Sequence, residues 1–212
     1  SDDDDVIMPS GLHNPEIASQ LSKFLSKVAA NGSYVGIAAF VLFALRYRKR
    51  VHIWLDTTKQ DVLAEHAPWA IEHITDVPPY YAISCTVLEE TRDISLHGDQ
   101  VQDMNHWVAG YLDESVGDLA ILGEGGGGLS SAVEATFFAA YLSLKIQVLK
   151  TVADGDCGMD AMCLILGWQR TFANRCRLRH ELAEFAFKHG ANRALIISLF
   201  QTGELKNNLG DF

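Results

Sequence analysis

The stretch that most constrains this chain is Val152-Ala153-Asp154-Gly155-Asp156-Cys157-Gly158-Met159-Asp160-Ala161-Met162-Cys163. The run from Ile146 to Val152 predicts a strand, and Asp-Gly-Asp predicts a tight turn. Met159, Met162, Cys163, Leu164 and Leu166 then give a helical pattern that begins at Cys157. A thiol at a helix N-terminus sits where four amides lack intrahelical partners and the helix dipole is positive, and both favour a thiolate. The same amides suit the oxyanion of an acyl-transfer intermediate, so one turn would combine nucleophile and electrostatic stabiliser. That pairing is the chemistry of a cysteine peptidase. The alternative is a small, buried cysteine that only packs.

The 212 residues are 48% hydrophobic and 21% charged, enough apolar side chain for one domain with a sizeable core. With 17 basic and 27 acidic residues the formal net charge is −10. The densest basic run is Arg46-Tyr47-Arg48-Lys49-Arg50, which is too little to hold a phosphate backbone, so nucleic acid is not expected as a partner. An acidic surface suits a basic protein partner. Cys85, Cys157, Cys163 and Cys176 have neither disulfide-framework nor zinc spacing, and His66 and His73 lack ligand neighbours. No metal or cofactor is expected, and the setting reads as reducing and intracellular, cytoplasmic or a host cytosol reached by secretion. The most apolar run, Tyr34 to Leu45, is shorter than the roughly 20 residues that cross a bilayer, so no membrane span is expected. The opening at Ser1, with Asp2 to Asp5 following, reads as a piece of something longer.

Taken in order, residues 1–14 form an acidic tail too polar to bury much, and residues 15–205 form a single domain. Ile17, Leu21, Phe24, Leu25 and Val28 mark an amphipathic helix from Pro15 to near Asn31-Gly32. A second helix, Tyr34 to Tyr47, is apolar nearly all round and should be central to the core. Val51 to Leu55 reads as a strand, Thr57 to Pro79 as loop with a helical turn, and Tyr80 to Leu88 and Ile94 to Leu96 as strands. His106 opens another strand, to Leu112. There it is held by a sheet yet near a loop, which suits a general base. By alternation His106 and Val108 face one way, Trp107 and Ala109 the other. Glu124 to Ser131, with four consecutive glycines, is a flexible linker. Helices follow at Val133 to Leu144, Cys157 to about Gly167, Asn174 to His189 and Asn192 to Phe200.

Asp154-Gly155-Asp156-Cys157, the apolar helix closing at Gly167, and Leu178-Arg179-His180-Glu181-Leu182 resemble the front half of the OTU (ovarian tumour) family of deubiquitinating cysteine proteases. In that family a D-G-N-C turn precedes a helix and an "LR" helix. The family's back half carries a glycine turn, an apolar helix, a strand, and a strand bearing histidine then an aromatic. Here Asn31-Gly32-Ser33-Tyr34-Val35-Gly36, the helix to Tyr47, Val51 to Leu55 and His106-Trp107 match these, but they stand ahead of the cysteine. The chain therefore looks like a circularly permuted OTU domain: residues 15–122 as the back half, 123–131 as the linker that replaces the usual termini, and 132–205 as the front half. Permutation costs little when the broken connection is an exposed loop.

The resemblance implies an α+β fold of the papain-like cysteine protease superfamily, with a small mixed sheet between helices. It implies Cys157 as nucleophile, His106 as its base, Asp154 as the turn's first aspartate, and the backbone of Asp154, Asp156 and Cys157 as oxyanion hole. The partner would be ubiquitin or polyubiquitin, bound by a monomer through a cleft narrow near Cys157 and acidic farther out. Trp107 is either a wall of that channel or a core residue. The family often orients its histidine with Asn or Asp two residues on, where this chain has Val108. His106, Asp113, Asp118 and Cys157-Gly158-Met159 are also similar to the Ulp/SENP peptidases of SUMO-like modifiers, although Thr151 stands where a glutamine is expected. A non-catalytic ubiquitin-binding module is the remaining alternative.

Overall fold

A computed structural model describes residues 15–55, 58–74, 80–84, 107–112, 145–149, 151–152, 154–190, 192–203 and 205. The helices are α1 (Pro15–Ala29), α2 (Ile37–Tyr47), α3 (Val62–His66), α4 (Cys157–Ile165), α5 (Phe172–Lys188) and α6 (Arg193–Gln201), with a 3-10 helix at Pro68–His73. The strands are β1 (Val51–Leu55), β2 (Thr58–Asp61), β3 (Tyr80–Ser84), β4 (Trp107–Leu112) and β5 (Ile146–Leu149). They form one sheet in the order β2-β1-β3-β4-β5, with β1 and β3 parallel and the other neighbours antiparallel. The fold is α+β with a mixed sheet.

The apolar run read as a central helix is one. Ala38 to Ala44 of α2 have no exposed surface, as a helix without a polar face requires. It packs against α3, α5 and α6, and Phe40 meets Trp107 of β4 at 4.7 Å between ring centroids. Register fixes which face of the sheet meets the helices: Val51, Ile53, Ala82, Trp107 and Ala109 join the helical core. Val108, Ile146 and Val148 point to the opposite face and are buried there.

Helix ends follow local chemistry. Asn192 caps α6 by accepting the Leu195 amide at 3.2 Å, and Thr171 caps α5 by accepting that of Asn174, also at 3.2 Å. The segment expected to be loop from Thr57 contains β2, which is entirely polar and therefore shows no alternation. Its order comes from pairing with β1, not from an apolar face. Asp61 at its end caps α3 through the Leu63 and Ala64 amides and pairs with Arg50. Gly32 and Gly167, at φ of 69° and 67°, adopt the left-handed backbone near the ends of α1 and α4. The predicted tail, the strand at Ile94 to Leu96, the glycine linker, the helix at Val133 to Leu144 and His106 lie outside the described residues.

Two buried ionic clusters attach α4 to its surroundings. Asp160, with no exposed surface, accepts the Val152 amide at 3.1 Å and the Arg170 Nε at 3.0 Å, with Arg175 Nη1 at 3.4 Å. Arg179 of α5 also has no exposed surface. Its Nε donates to Asp156 Oδ1 at 2.9 Å and its Nη1 to Val28 O at 2.9 Å, while Nη2 reaches Asp156 Oδ1, Ser33 O and Gly155 O. One guanidinium thus joins α5, the end of α1, the α1–α2 connection and the turn before α4. Removing Arg179 leaves the buried Asp156 carboxylate facing Arg175 alone, with Nε 3.7 Å from Oδ2, and losing one partner of a buried pair costs up to about 3–5 kcal/mol. Arg179→Met is expected to lose about that much stability in urea unfolding, and Arg179→Lys most of it, because an ammonium cannot reproduce the fork. A loss below about 1 kcal/mol in both would show that the clamp does not hold the fold.

Candidate active site

The turn ahead of α4 is built by its own residues. Asp154 Oδ1 accepts the Asp156 amide at 2.9 Å, and Asp154 O accepts the Cys157 amide at 3.1 Å, which together close an Asx turn. Asp156 then turns its carboxylate inward, where Oδ1 accepts the Gly32 amide at 3.0 Å beside Arg179. Residue 155 has to be glycine: a Cβ there would lie 1.7 Å from Gly32 O. Gly158 is nearly as confined, since a Cβ would lie 2.6 Å from Val35 Cγ2 and 3.3 Å from Trp107 Cδ1. The two glycines let the turn and α4 sit directly against the α1–α2 connection and the start of β4.

Cys157 lies at that junction, 1% exposed. The Trp107 amide donates to its Sγ at 3.4 Å, across 50 positions of sequence, and the Tyr34 hydroxyl lies 3.8 Å away. Trp107 is held in turn, its Nε1 donating to Val35 O at 2.7 Å and its carbonyl accepting from Thr151 Oγ1. Burial pushes the Cys157 thiol above its ordinary value; the Trp107 amide, the Tyr34 hydroxyl and the Gly158 amide pull it down, and the Asp154 charge adds to the rise. Burial, with Asp160 next, pushes Cys163 farther, to about 12, which marks it as a packing thiol.

Each residue singled out in the sequence has a place or lies beyond the described chain. Cys157 opens α4 as expected and touches the first residue of β4. His106, which immediately precedes that residue, is outside the described residues. Asp154 is exposed, and its carboxylate serves the turn. Of the three amides expected to form an oxyanion hole, those of Asp156 and Cys157 donate to Asp154 within the turn. Trp107 is core, 4% exposed, and does not wall a channel: it fills the space between Phe40, Val35 and Gly158. Val108 is 3% exposed and offers no hydrogen bond.

Tyr34 and Arg179's partners were not visible beforehand. Tyr34 follows a glycine turn, which marks the bend but not what the phenol meets. Arg179 sits in an amphipathic pattern that a buried arginine interrupts. Among the described residues no three His, Cys, Asp or Glu side chains are grouped to hold a metal ion, and no helix is long and apolar enough to cross a membrane.

Comparison with protein-family profiles, curated proteins and solved structures finds no match to this chain.

A raised thiol is mostly protonated at neutral pH, and its reactivity climbs as pH approaches its pKa. Alkylation of Cys157 by iodoacetamide, followed by mass spectrometry of its peptide, is expected to reach half its maximal rate above about pH 8.5, the ordinary cysteine value. A midpoint below neutrality would instead mean a thiolate already formed in the resting protein.

Proposed function

We propose that the chain is a cysteine peptidase of the OTU type, in circularly permuted order and papain-like architecture. Its reaction is hydrolysis of the peptide or isopeptide bond after the C-terminal glycine of ubiquitin. The observation that carries this is the Trp107 amide on Cys157 Sγ at 3.4 Å: a helix N-terminus with a thiol and the first residue of a strand meet at one point, and His106 precedes that residue. Support also comes from Leu178-Arg179, whose arginine anchors the cysteine turn through Asp156. The charge of −10 complements the basic tail of ubiquitin. Thr151 gives its hydroxyl to the Trp107 carbonyl, so the position where Ulp/SENP peptidases have glutamine is committed to structure here.

In this mechanism His106 removes the proton from Cys157 as substrate binds, which a neutral resting thiol requires, and the sulfur attacks the glycine carbonyl. The imidazolium then protonates the departing amine. Water hydrolyses the thioester with the same base. The expected partner is ubiquitin or a ubiquitin chain, bound by a monomer in a reducing cytosol.

One set of observations favours a second reading, a non-catalytic ubiquitin-binding module. Cys157 is 1% exposed with its thiol raised, and Val108 cannot orient an imidazole. Hydrolysis of a fluorogenic ubiquitin C-terminal amide separates the two. Cys157→Ala is expected to abolish turnover, His106→Ala to lower kcat by about 10²–10⁴-fold, and Cys163→Ala to leave most of it. Turnover that survives Cys157→Ala removes the nucleophile. Turnover that survives His106→Ala but is lost with another histidine removes the permuted alignment.

A further inference from the structure

We propose that the Tyr34 hydroxyl is the side-chain donor to the negative charge created at Cys157, first on the sulfur and then on the substrate's carbonyl oxygen. This rests on the peptidase assignment above. Three observations converge on it. The Cys157 thiol donates to this hydroxyl at 3.8 Å in the resting protein, and once the sulfur has lost its proton the same contact can only be made with the hydroxyl donating. The amides of Asp156 and Cys157, which a helix N-terminus would ordinarily offer to an oxyanion, are donated to Asp154 instead. And the backbone around Tyr34 is fixed on both sides. The Gly32 amide is bound to Asp156 Oδ1 at 3.0 Å, Ser33 O accepts from Arg179, and Val35 O accepts from Trp107 Nε1 at 2.7 Å. A backbone held this firmly on both sides of residue 34 limits how far the phenol must move when charge appears, which favours electrostatic stabilisation. Tyr34 is only partly buried, whereas the thiol beside it is nearly covered.

In the acylation step Sγ bonds to the glycine carbonyl carbon, the C=O π pair moves onto oxygen, and the thiol proton resides on His106. The Tyr34 O–H donates a hydrogen bond to that oxygen and keeps its proton. When the carbonyl re-forms the C–N bond breaks, the amine leaves with the proton from His106, and a thioester remains on Cys157. Tyr34 is unchanged at the end.

The test uses Tyr34→Phe in the full chain, which keeps the ring and removes only the donor, with thermal melting to verify an unchanged fold. Two readouts are taken. The first needs no ubiquitin: the pH profile of Cys157 alkylation by iodoacetamide, with the less buried Cys176 in the same sample as internal reference. Removing a donor to the thiolate is expected to move the Cys157 midpoint upward and slow its alkylation severalfold at fixed pH, leaving Cys176 unchanged. The second is turnover of the ubiquitin amide, where loss of one oxyanion donor is expected to lower kcat by about 10²-fold with KM little changed. An unchanged alkylation profile overturns the proposal whatever the substrate is. So does an upward shift accompanied by wild-type kcat. If the shift appears but the wild-type protein cleaves no ubiquitin amide, Tyr34 keeps its role toward Cys157 and the ubiquitin assignment is what fails.

Discussion

Arg179 and Asp156 form the interaction on which the rest of the structure depends. Both are buried, so the pair is not a large source of stability in itself: the cost of dehydrating two ions offsets most of their attraction. Its effect lies in the geometry it selects. The guanidinium fork is satisfied with the carbonyls of Val28, Ser33 and Gly155 around it, and that arrangement brings the α1–α2 connection onto the cysteine turn. Once the connection is there, Val35 takes the Trp107 indole, Tyr34 comes over Cys157, and the start of β4 closes on the thiol. Gly155 and Gly158 are the complement on the other side. They are the positions at which any side chain would keep these segments apart.

The electrostatics of Cys157 follow from the same closeness. A helix N-terminus would lower the thiol's pKa, yet two of the first amides are spent inside the turn, and packing removes the water that would solvate a thiolate. Burial wins, so the resting sulfur is protonated and the proposed reaction would have to create its charge. A site of this kind depends on donors positioned in advance and on a base nearby, more than on a preformed ion. This is why Trp107 N–H, Tyr34 O–H and the residue preceding Trp107 matter more to the proposed chemistry than the helix dipole.

Much of the architecture was legible in the sequence wherever burial imposed a period. The unbroken apolar run of α2 announced a helix with no solvent face, and Asp154-Gly155-Asp156 announced a turn because few other sequences close one so tightly. β2 was not legible because Thr58 to Asp61 has no apolar face to betray it; its order is lent by β1. Trp107 admitted two readings, because a tryptophan next to a candidate base is equally at home in a channel or a core. The partnership across the α1–α2 connection was hidden for a different reason: Tyr34 and Cys157 are 123 positions apart, and no local pattern encodes a contact made by chain crossing. The leucine-arginine pair at 178 and 179 lay between these cases. Its match to a known pattern was visible, while the physical reason, a buried cation holding a turn together, depends on residues far apart in the chain.

The claim at the centre is that the thiol opening α4 is activated by what the start of β4 brings to it. Incubation with ubiquitin bearing an electrophilic C-terminus, followed by peptide mapping of the product, tests this most directly. The structure leads us to expect a single stable adduct on Cys157, formed by the native protein and lost when it is unfolded in urea. Absence of any adduct, or one carried instead by Cys163 or Cys176, would contradict it.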